Sequence, residues 1–520
     1  MKNNIKILSL FFFITVFSSC KKWVDYNPHD DYEVTDLDYL KSESDYRTME
    51  VSVYTPLQWL NQAVVVSDIA SDNAVAGGEN ASDVLNLQQI DDYTVNSTNG
   101  TLSDLWQSAY EGINRANYLT QFKDKNPSGG QVSFAGKDAL YGEIYFLRAY
   151  YYFTLVKFFG NVPLFTDKRL EITDSRTLKQ SPKEDVYAQI ELDLTNAIAV
   201  LPPNAAQPGR ITRYAAQALL GKVYLYENKF DDAATILENV VNGPFSLQTD
   251  FAGIFLSSGE NGPESVFEIQ YSNLSPYYNW GGATRGQGNY AVQQCGIRGL
   301  QGNSPFAAGW STNLPTQNLA DAYSTGDQRK DATVLNIDQY IVDNPSYFLN
   351  VGSPAKSFYP STDPGFATSP AYQVAPFKNT GLYDMKYLPR KGQTSGQLEL
   401  NYLNNYRIIR YAGVLLMAAE ANNRKSSPDD GKAQGYLNKV RQRAFGDQLH
   451  NITATGSALT QAIWDERRLE LAMEGDRFFD LVRTGQAATK ITGFKTGKNE
   501  VFPIPQQEID VSGLTQNPGY

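Results

Sequence analysis

The residues best equipped for chemistry are aromatic and lie in a glycine-rich stretch. In SPYYNWGGATRGQGNY, Tyr277, Tyr278, Trp280, Arg285 and Tyr290 combine flat apolar faces with hydroxyl, indole and guanidinium donors. The flanking glycines let backbone and rings come to a surface, because a residue without Cβ adopts conformations closed to the others. Such a set suits a ligand that shows C–H faces and hydroxyls together. Trp310 is a further candidate, with packing as its competing role.

Other chemistries find little material. The two histidines, His29 and His450, are far apart in sequence, which leaves little for a His-based metal centre or a Ser-His-Asp apparatus. The GxxxxGK[ST] and HExxH patterns are absent, and the Asp/Asn-rich loops do not have DxDxDG spacing. Glycoside hydrolysis needs two carboxyl groups about 5 to 9.5 Å apart, and no pair stands out among 56 acidic residues. The densest charge constellation runs through Glu466, Arg467, Arg468, Glu470, Glu474, Arg477, Asp480 and Arg483. Its three- and four-residue spacing predicts ion pairs along a helix surface or docking of that helix against a neighbour. The expectation is a binding protein, with no enzymatic activity, cofactor or metal. With 45 basic against 56 acidic residues, a net charge of -11 and no basic block, nucleic acid is not an expected partner.

The elements that must position these residues read as helices. Leu105 to Phe122 places Trp106, Tyr110, Ile113 and Asn117 on one helical stripe. Lys137 to Phe159 is apolar over much of its circumference, the pattern of a helix buried on several sides. Ser181-Pro182-Lys183-Glu184 predicts a helix start with Ser181 as cap, opening Val186 to Leu201 before Pro202-Pro203. Leu220, Gly221, Tyr224, Ala233, Leu237 and Val240 fall at the spacings of a tetratricopeptide unit. A second helical pair is predicted from Tyr406 to Asn423 and from Gly431 to Ala444. One such unit cannot bury its own face, so several must stack. Between Pro244 and Arg390 the texture turns to Gly, Asn, Ser, Pro and aromatics, with short strand-like runs such as Ser265 to Tyr271. That loop-rich stretch is read as the binding half, since its aromatic density argues against disorder.

The N-terminus reads as an address. Lys2 and Lys6, an uncharged run from Ile7 to Phe17, and Ser18-Ser19-Cys20 have the layout of a secretory signal. Small residues followed at once by Cys resemble a bacterial lipobox, which makes Cys20 the expected acylated anchor and Cys295 the sole free thiol. No later stretch is long and apolar enough to span a bilayer. The expected organisation is a signal over 1–19, a tether over 20–38 and a single domain over 39–520. Within that domain, helical scaffold is expected over 105–243 and 400–485, and the loop-rich binding region over 244–390.

Taken together, several segments resemble the SusD/RagB family of outer-membrane nutrient-binding lipoproteins. They are the lipobox at Cys20, LWQSAYEGINRAN, EIYFLRAYYYFTLVKFFGNVPL, GWSTNLPTQNLADAYSTGDQRK, RIIRYAGVLLMAAEA, DERRLELAMEGDRFFDLVRTG, VFPIPQQEI and TQNPGY. The resemblance implies a mostly α fold, with about four tetratricopeptide-like helix pairs supporting an irregular ligand-binding region. Because the family often lines its site with residues preceding the LWQSAY helix, the resemblance also implies ligand contacts from Asp72 and Asn73 in SDIASDN and from Tyr93 and Asn96 in DDYTVNSTNG, with helix capping and turn formation as the competing role of Asp and Asn there. It also implies a surface-exposed, lipid-anchored protein of the outer membrane. Such a protein captures an oligosaccharide and passes it to a SusC-type TonB-dependent transporter, over whose barrel it acts as a lid. Peptide capture of the RagB kind, or a scaffold that only docks on the transporter, are the alternatives. Gly413 departs from the family, which usually carries Glu in RYAE.

Overall fold

A computed structural model describes residues 39–171, 173–272, 288–349, 352–357, 370–373, 377–394 and 401–520. Cys20, Tyr277, Tyr278, Trp280 and Arg285 lie outside the described residues. The chain divides into two compact units, Met1–Tyr46 with Phe122–Phe134 and Arg47–Gln121 with Ala135–Tyr520. In the first, Tyr46 donates its hydroxyl to Phe122 O at 3.0 Å, and its ring lies 5.5 Å from that of Phe134.

The second unit is mostly helical. In chain order its main elements are α1 (Glu43–Trp59, whose first residues belong to the other unit), α2 (Gln62–Ile69), β1 (Ala74–Val75) and α3 (Leu85–Asp91). Then come α4 (Gly100–Gln121), α5 (Lys137–Phe159), α6 (Lys183–Val200), α7 (Arg213–Tyr226) and α8 (Phe230–Val241). After β2 (Ser265–Ile269), β3 (Leu314–Pro315) and β4 (Tyr406–Arg410), the helices resume as α9 (Tyr411–Arg424), α10 (Asp430–Phe445) and α11 (Gly456–Glu470). From α4 to α8 each helix packs on the next. The chain then leaves for residues 242–410 and returns to lay α9 against α8, with α10 and α11 following.

The stack closes because small residues sit where helices touch. A Cβ on Gly221 of α7 would collide with Leu237 of α8, and one on Gly112 of α4 would collide with the Tyr151 ring of α5. Nearly every side of α5 is buried, from Leu140 through Phe159, as its all-round apolar pattern predicts. Thr212 caps α7 by accepting from Ala215 N at 3.2 Å.

Two sequence expectations need correction. Ser181 does not cap α6: its backbone pairs with Val162, Pro182 takes the cap position, and Asn161 Oδ1 accepts from Lys183 N at 2.9 Å instead. Tyr406 to Arg410 is not the first turn of a helix but strand β4, antiparallel to β2 with Tyr406 opposite Ile269 and Arg410 opposite Ser265. Tertiary pairing overrides the helical pattern there, helped by β-branched Ile408 and Ile409.

The 242–410 excursion has a core of its own. Ile297, Phe306, Leu314, Ile337, Tyr372, Tyr383 and Leu388 form a buried cluster, and the strands among the described residues pair only in twos. A buried ionic network ties this lobe to the stack. Arg410 meets Glu264 at 2.6 Å, Glu470 at 3.0 Å and Glu474 at 2.7 Å. Arg329 meets Asp327, Glu466 and Glu470, while Lys386 meets Glu474 at 2.6 Å. Burial pushes the Glu470 carboxyl up, but the guanidinium groups of Arg443, Arg410 and Arg329 reverse this and hold it well below the ordinary range. Part of the charge constellation expected along a helix surface is therefore interior. Glu466, Arg467 and Glu470 are buried and dock α11 against its neighbours.

Candidate functional site: an aromatic ledge

The site is built from the turn that β1 begins. Ala74 pairs with Pro315 and Val75 with Leu314, which lays the 76–84 loop alongside the segment that carries Trp310. Gly77 is required by the approach: a Cβ there would strike Ser311 O and Leu314. Gln88 Nε2 donates to Gly77 O at 2.6 Å and Ala76 N donates to Asp91 Oδ2 at 3.0 Å, pinning the loop from behind.

Tyr290 and Trp310 lie side by side, both half-buried. Their ring centroids are 6.3 Å apart at 48°. Tyr290 occupies the cap position of the short helix Ala291–Cys295 and is backed by buried Trp59, the last residue of α1, at 4.7 Å. Trp310 N donates to Gln293 O at 2.8 Å on the same helix. The next residue, Ser311, holds φ at 56°, a left-handed conformation that costs a non-glycine residue energy and tends to mark functional positions. Ser311 Oγ is fixed by donating to Gly296 O at 3.2 Å and accepting from Arg298 N at 2.9 Å.

Arg298 completes the ledge. Its guanidinium donates to Glu79 at 2.7 Å, to Asp83 at 3.0 Å and to Trp310 O at 2.9 Å. The cation is thus held in place against the backbone of the tryptophan. Two half-buried rings beside an oriented guanidinium and two carboxylates offer stacking faces and hydrogen-bonding edges together, the combination a sugar ring requires.

At the end of the short helix Ala291–Cys295, Cys295 is buried with Asn313 Nδ2 3.8 Å from its sulfur. The fully buried Asp384 carboxyl is pushed up to about 7 by burial, despite nearby Lys386. Burial and the neighbouring Asp384 together push Asp68 well above its ordinary range. Among the described residues, no group of three or more His, Cys, Asp or Glu could hold a metal ion. No helix there is long and apolar enough to cross a membrane.

The predicted residues separate into groups. Tyr290 and Trp310 come together on the ledge. Asn73 is wholly buried and accepts from Arg468 Nε at 2.9 Å, so it has no surface to offer a ligand, and a ligand role for it is corrected to a structural one. Asp72 is held by Arg477 at 2.7 Å and by Arg468 at 3.3 Å; burial would raise its carboxyl, but these cations keep it low. Tyr93 donates its buried hydroxyl to Ala70 O. Asn96 is exposed and accepts from Thr98 N at 2.9 Å, the turn role set against its ligand role. Sequence reasoning missed Arg298, Glu79, Asp83 and the backing ring of Trp59. The Gly77-Gly78 pair was a signal of close backbone approach, but nothing in the sequence joins it to Arg298.

A stack of antiparallel helix pairs with an irregular lobe that bears an aromatic ledge defines a tetratricopeptide-like binding protein. Comparison with known proteins sharpens that class. Residues 263–501 match the SusD family, and residues 22–225 match the family described as starch-binding associating with outer membrane. A solved laminarin-binding SusD-like protein is 33% identical, with a TM-score of 0.78 over 92% of this chain and 100% of that one. Surface glycan-binding protein A from Bacteroides thetaiotaomicron, solved in complex with laminarihexaose, is 27% identical, with a TM-score of 0.75 over 91% of this chain and 99% of that one. SusD-like protein P2 of Formosa agariphila is 25% identical over 460 residues, 83% of each chain. The chain belongs to the SusD family.

Proposed function

We propose that the protein is a cell-surface lipoprotein that captures oligosaccharides of a laminarin-type polysaccharide on the Tyr290–Trp310 ledge and passes them to a SusC-like TonB-dependent transporter. The observation that carries this reading is the ledge itself: two half-buried rings beside a fixed guanidinium, in a chain 33% identical to a laminarin-binding protein that it covers completely. Anchoring through Cys20 follows from the lipobox, and the outer-membrane setting and transporter from family membership. The protein binds without cutting. In support, Glu79 and Asp83 are both ion-paired to Arg298 rather than set across a cleft as an acid and its partner. Tyr277, Tyr278, Trp280 and Arg285 are proposed as further ligand-binding residues on the strength of their side-chain types.

The test is affinity electrophoresis and calorimetry of a soluble form against laminarin, starch, other polysaccharides and a peptide digest. Saturable laminarin binding that falls at least about tenfold in Trp310→Ala and in Tyr290→Ala is the expected result, the size of an aromatic hot spot. Binding confined to peptides, or unchanged in both variants, overturns it.

A further inference from the structure

We infer that the protein carries a second glycan-binding cleft, one that works through hydrogen bonds and takes another stretch of the same neutral polymer; this rests on the glycan-binding reading above. The cleft has a volume of about 730 Å³, within the ordinary range of ligand sites. It shares no lining residue with the aromatic ledge, although both hang from the β1–β3 pair, which contributes Ala74 and Val75 to its wall.

Its charges cancel. Asp72, Asp91 and Asp92 face Lys378, Arg468 and Lys490, so neither an anion nor a cation is favoured. Most of these groups are already tied to one another: Lys378 bridges Asp91 and Asp92 at 2.5 Å each, and Arg468 reaches Asp72 and Asn318. Burial raises the Asp91 carboxyl in spite of Lys378, while Asp72 is held low by Arg477 and Arg468. These bonds set the shape of the cleft.

What remains unspent at the rim suits a polyol. Lys490 is exposed with no ion pair among the described residues, and Asn318 uses its Oδ1 on Arg468 and leaves its amide N–H groups open. Exposed Thr492 has an unused hydroxyl, and Asp92 has an oxygen not engaged by Lys378. Donors, an acceptor and a group that does both, set around one hollow, match a run of sugar hydroxyls. Tyr93 lines the cleft but is buried, with its hydroxyl spent on Ala70 O and its ring in a T-shaped contact with Phe494 at 5.9 Å. Binding here is therefore by hydrogen bonds and weaker than on the ledge. A polymer that reaches both sites gains from the higher effective concentration of its second segment.

Calorimetry with laminarihexaose and laminarin tests this on wild type, Trp310→Ala and the double variant Asn318→Ala/Lys490→Ala. Both changed side chains of the double variant are exposed, so its circular dichroism should match wild type. The double variant is expected to keep the wild-type affinity for laminarihexaose at the ledge and to lose about tenfold in laminarin affinity. Trp310→Ala is expected to retain weak hexasaccharide binding. Laminarin affinity in the double variant equal to wild type overturns the second cleft and leaves the ledge standing. Failure of wild type to bind either probe overturns the glycan reading and the cleft with it.

Discussion

The helical stack and the 242–410 lobe bury comparable kinds of side chain but are closed by different contacts. In the stack, α7 meets α8 a few residues later, and the joint is a glycine against a leucine, Gly221 on Leu237. In the lobe, the decisive joint spans 146 residues and is ionic, Arg410 to Glu264, with Glu470 and Glu474 closing on the same guanidinium. Apolar closure in the stack is set by neighbours a few positions along the chain. Closure through buried charge depends on partners far along it, and loss of one ion leaves the others buried and unpaired. The lobe gains from this a fixed surface on which irregular loops can carry rings.

The sharpest way to break that contrast is Arg410→Met. It removes the cation shared by three carboxylates and leaves them buried, which costs about 3–5 kcal/mol. Urea denaturation should show the loss. Tryptophan emission, which includes Trp310 on the lobe, should then change at lower urea than the far-ultraviolet helix signal. If both signals still move together with wild-type midpoints, the network is not what joins lobe to stack.

A smaller effect is expected from Gly221→Val in the stack. The added side chain drives into Leu237, an overpacking that costs about 1–3 kcal/mol. Laminarin affinity should stay at the wild-type value, since neither Gly221 nor Leu237 is a ledge residue. Lost affinity together with lost stability would show that the stack and lobe are not separable in this way.

The same division governs what could be read from the sequence. The stack was legible: α5 has the predicted bounds Lys137–Phe159, and the α7–α8 unit stands where Leu220, Gly221, Ala233 and Leu237 placed it. Helical periodicity and small residues report contacts a few positions away, and these are the contacts that hold it. On the ledge, Tyr290 and Trp310 were legible as residue types, but their adjacency was not. Arg298 with Glu79 and Asp83 was missed because 219 and 215 residues separate the partners, and no local pattern encodes such a pairing. Asp72 and Asn73 were legible as polar loop residues, yet Arg477 and Arg468 claim them from 405 and 395 positions away.

The smallest effect tests whether non-local polar contacts also enter the stack. Ser181 has the sequence pattern of an N-cap for α6, whereas Asn161 supplies the acceptor for Lys183 N from 22 residues upstream. Loss of a capping acceptor costs about 1 kcal/mol, so Asn161→Ala should lower the unfolding free energy by about that much. Ser181→Ala should stay within about 0.5 kcal/mol of wild type, as surface changes away from a cap do. Asn161 is exposed, so packing does not confound the comparison. The reverse order would mean that the local signal governs the start of α6 after all. The expected order would mean that even the most locally encoded part of this chain takes one of its helix starts from a distant residue.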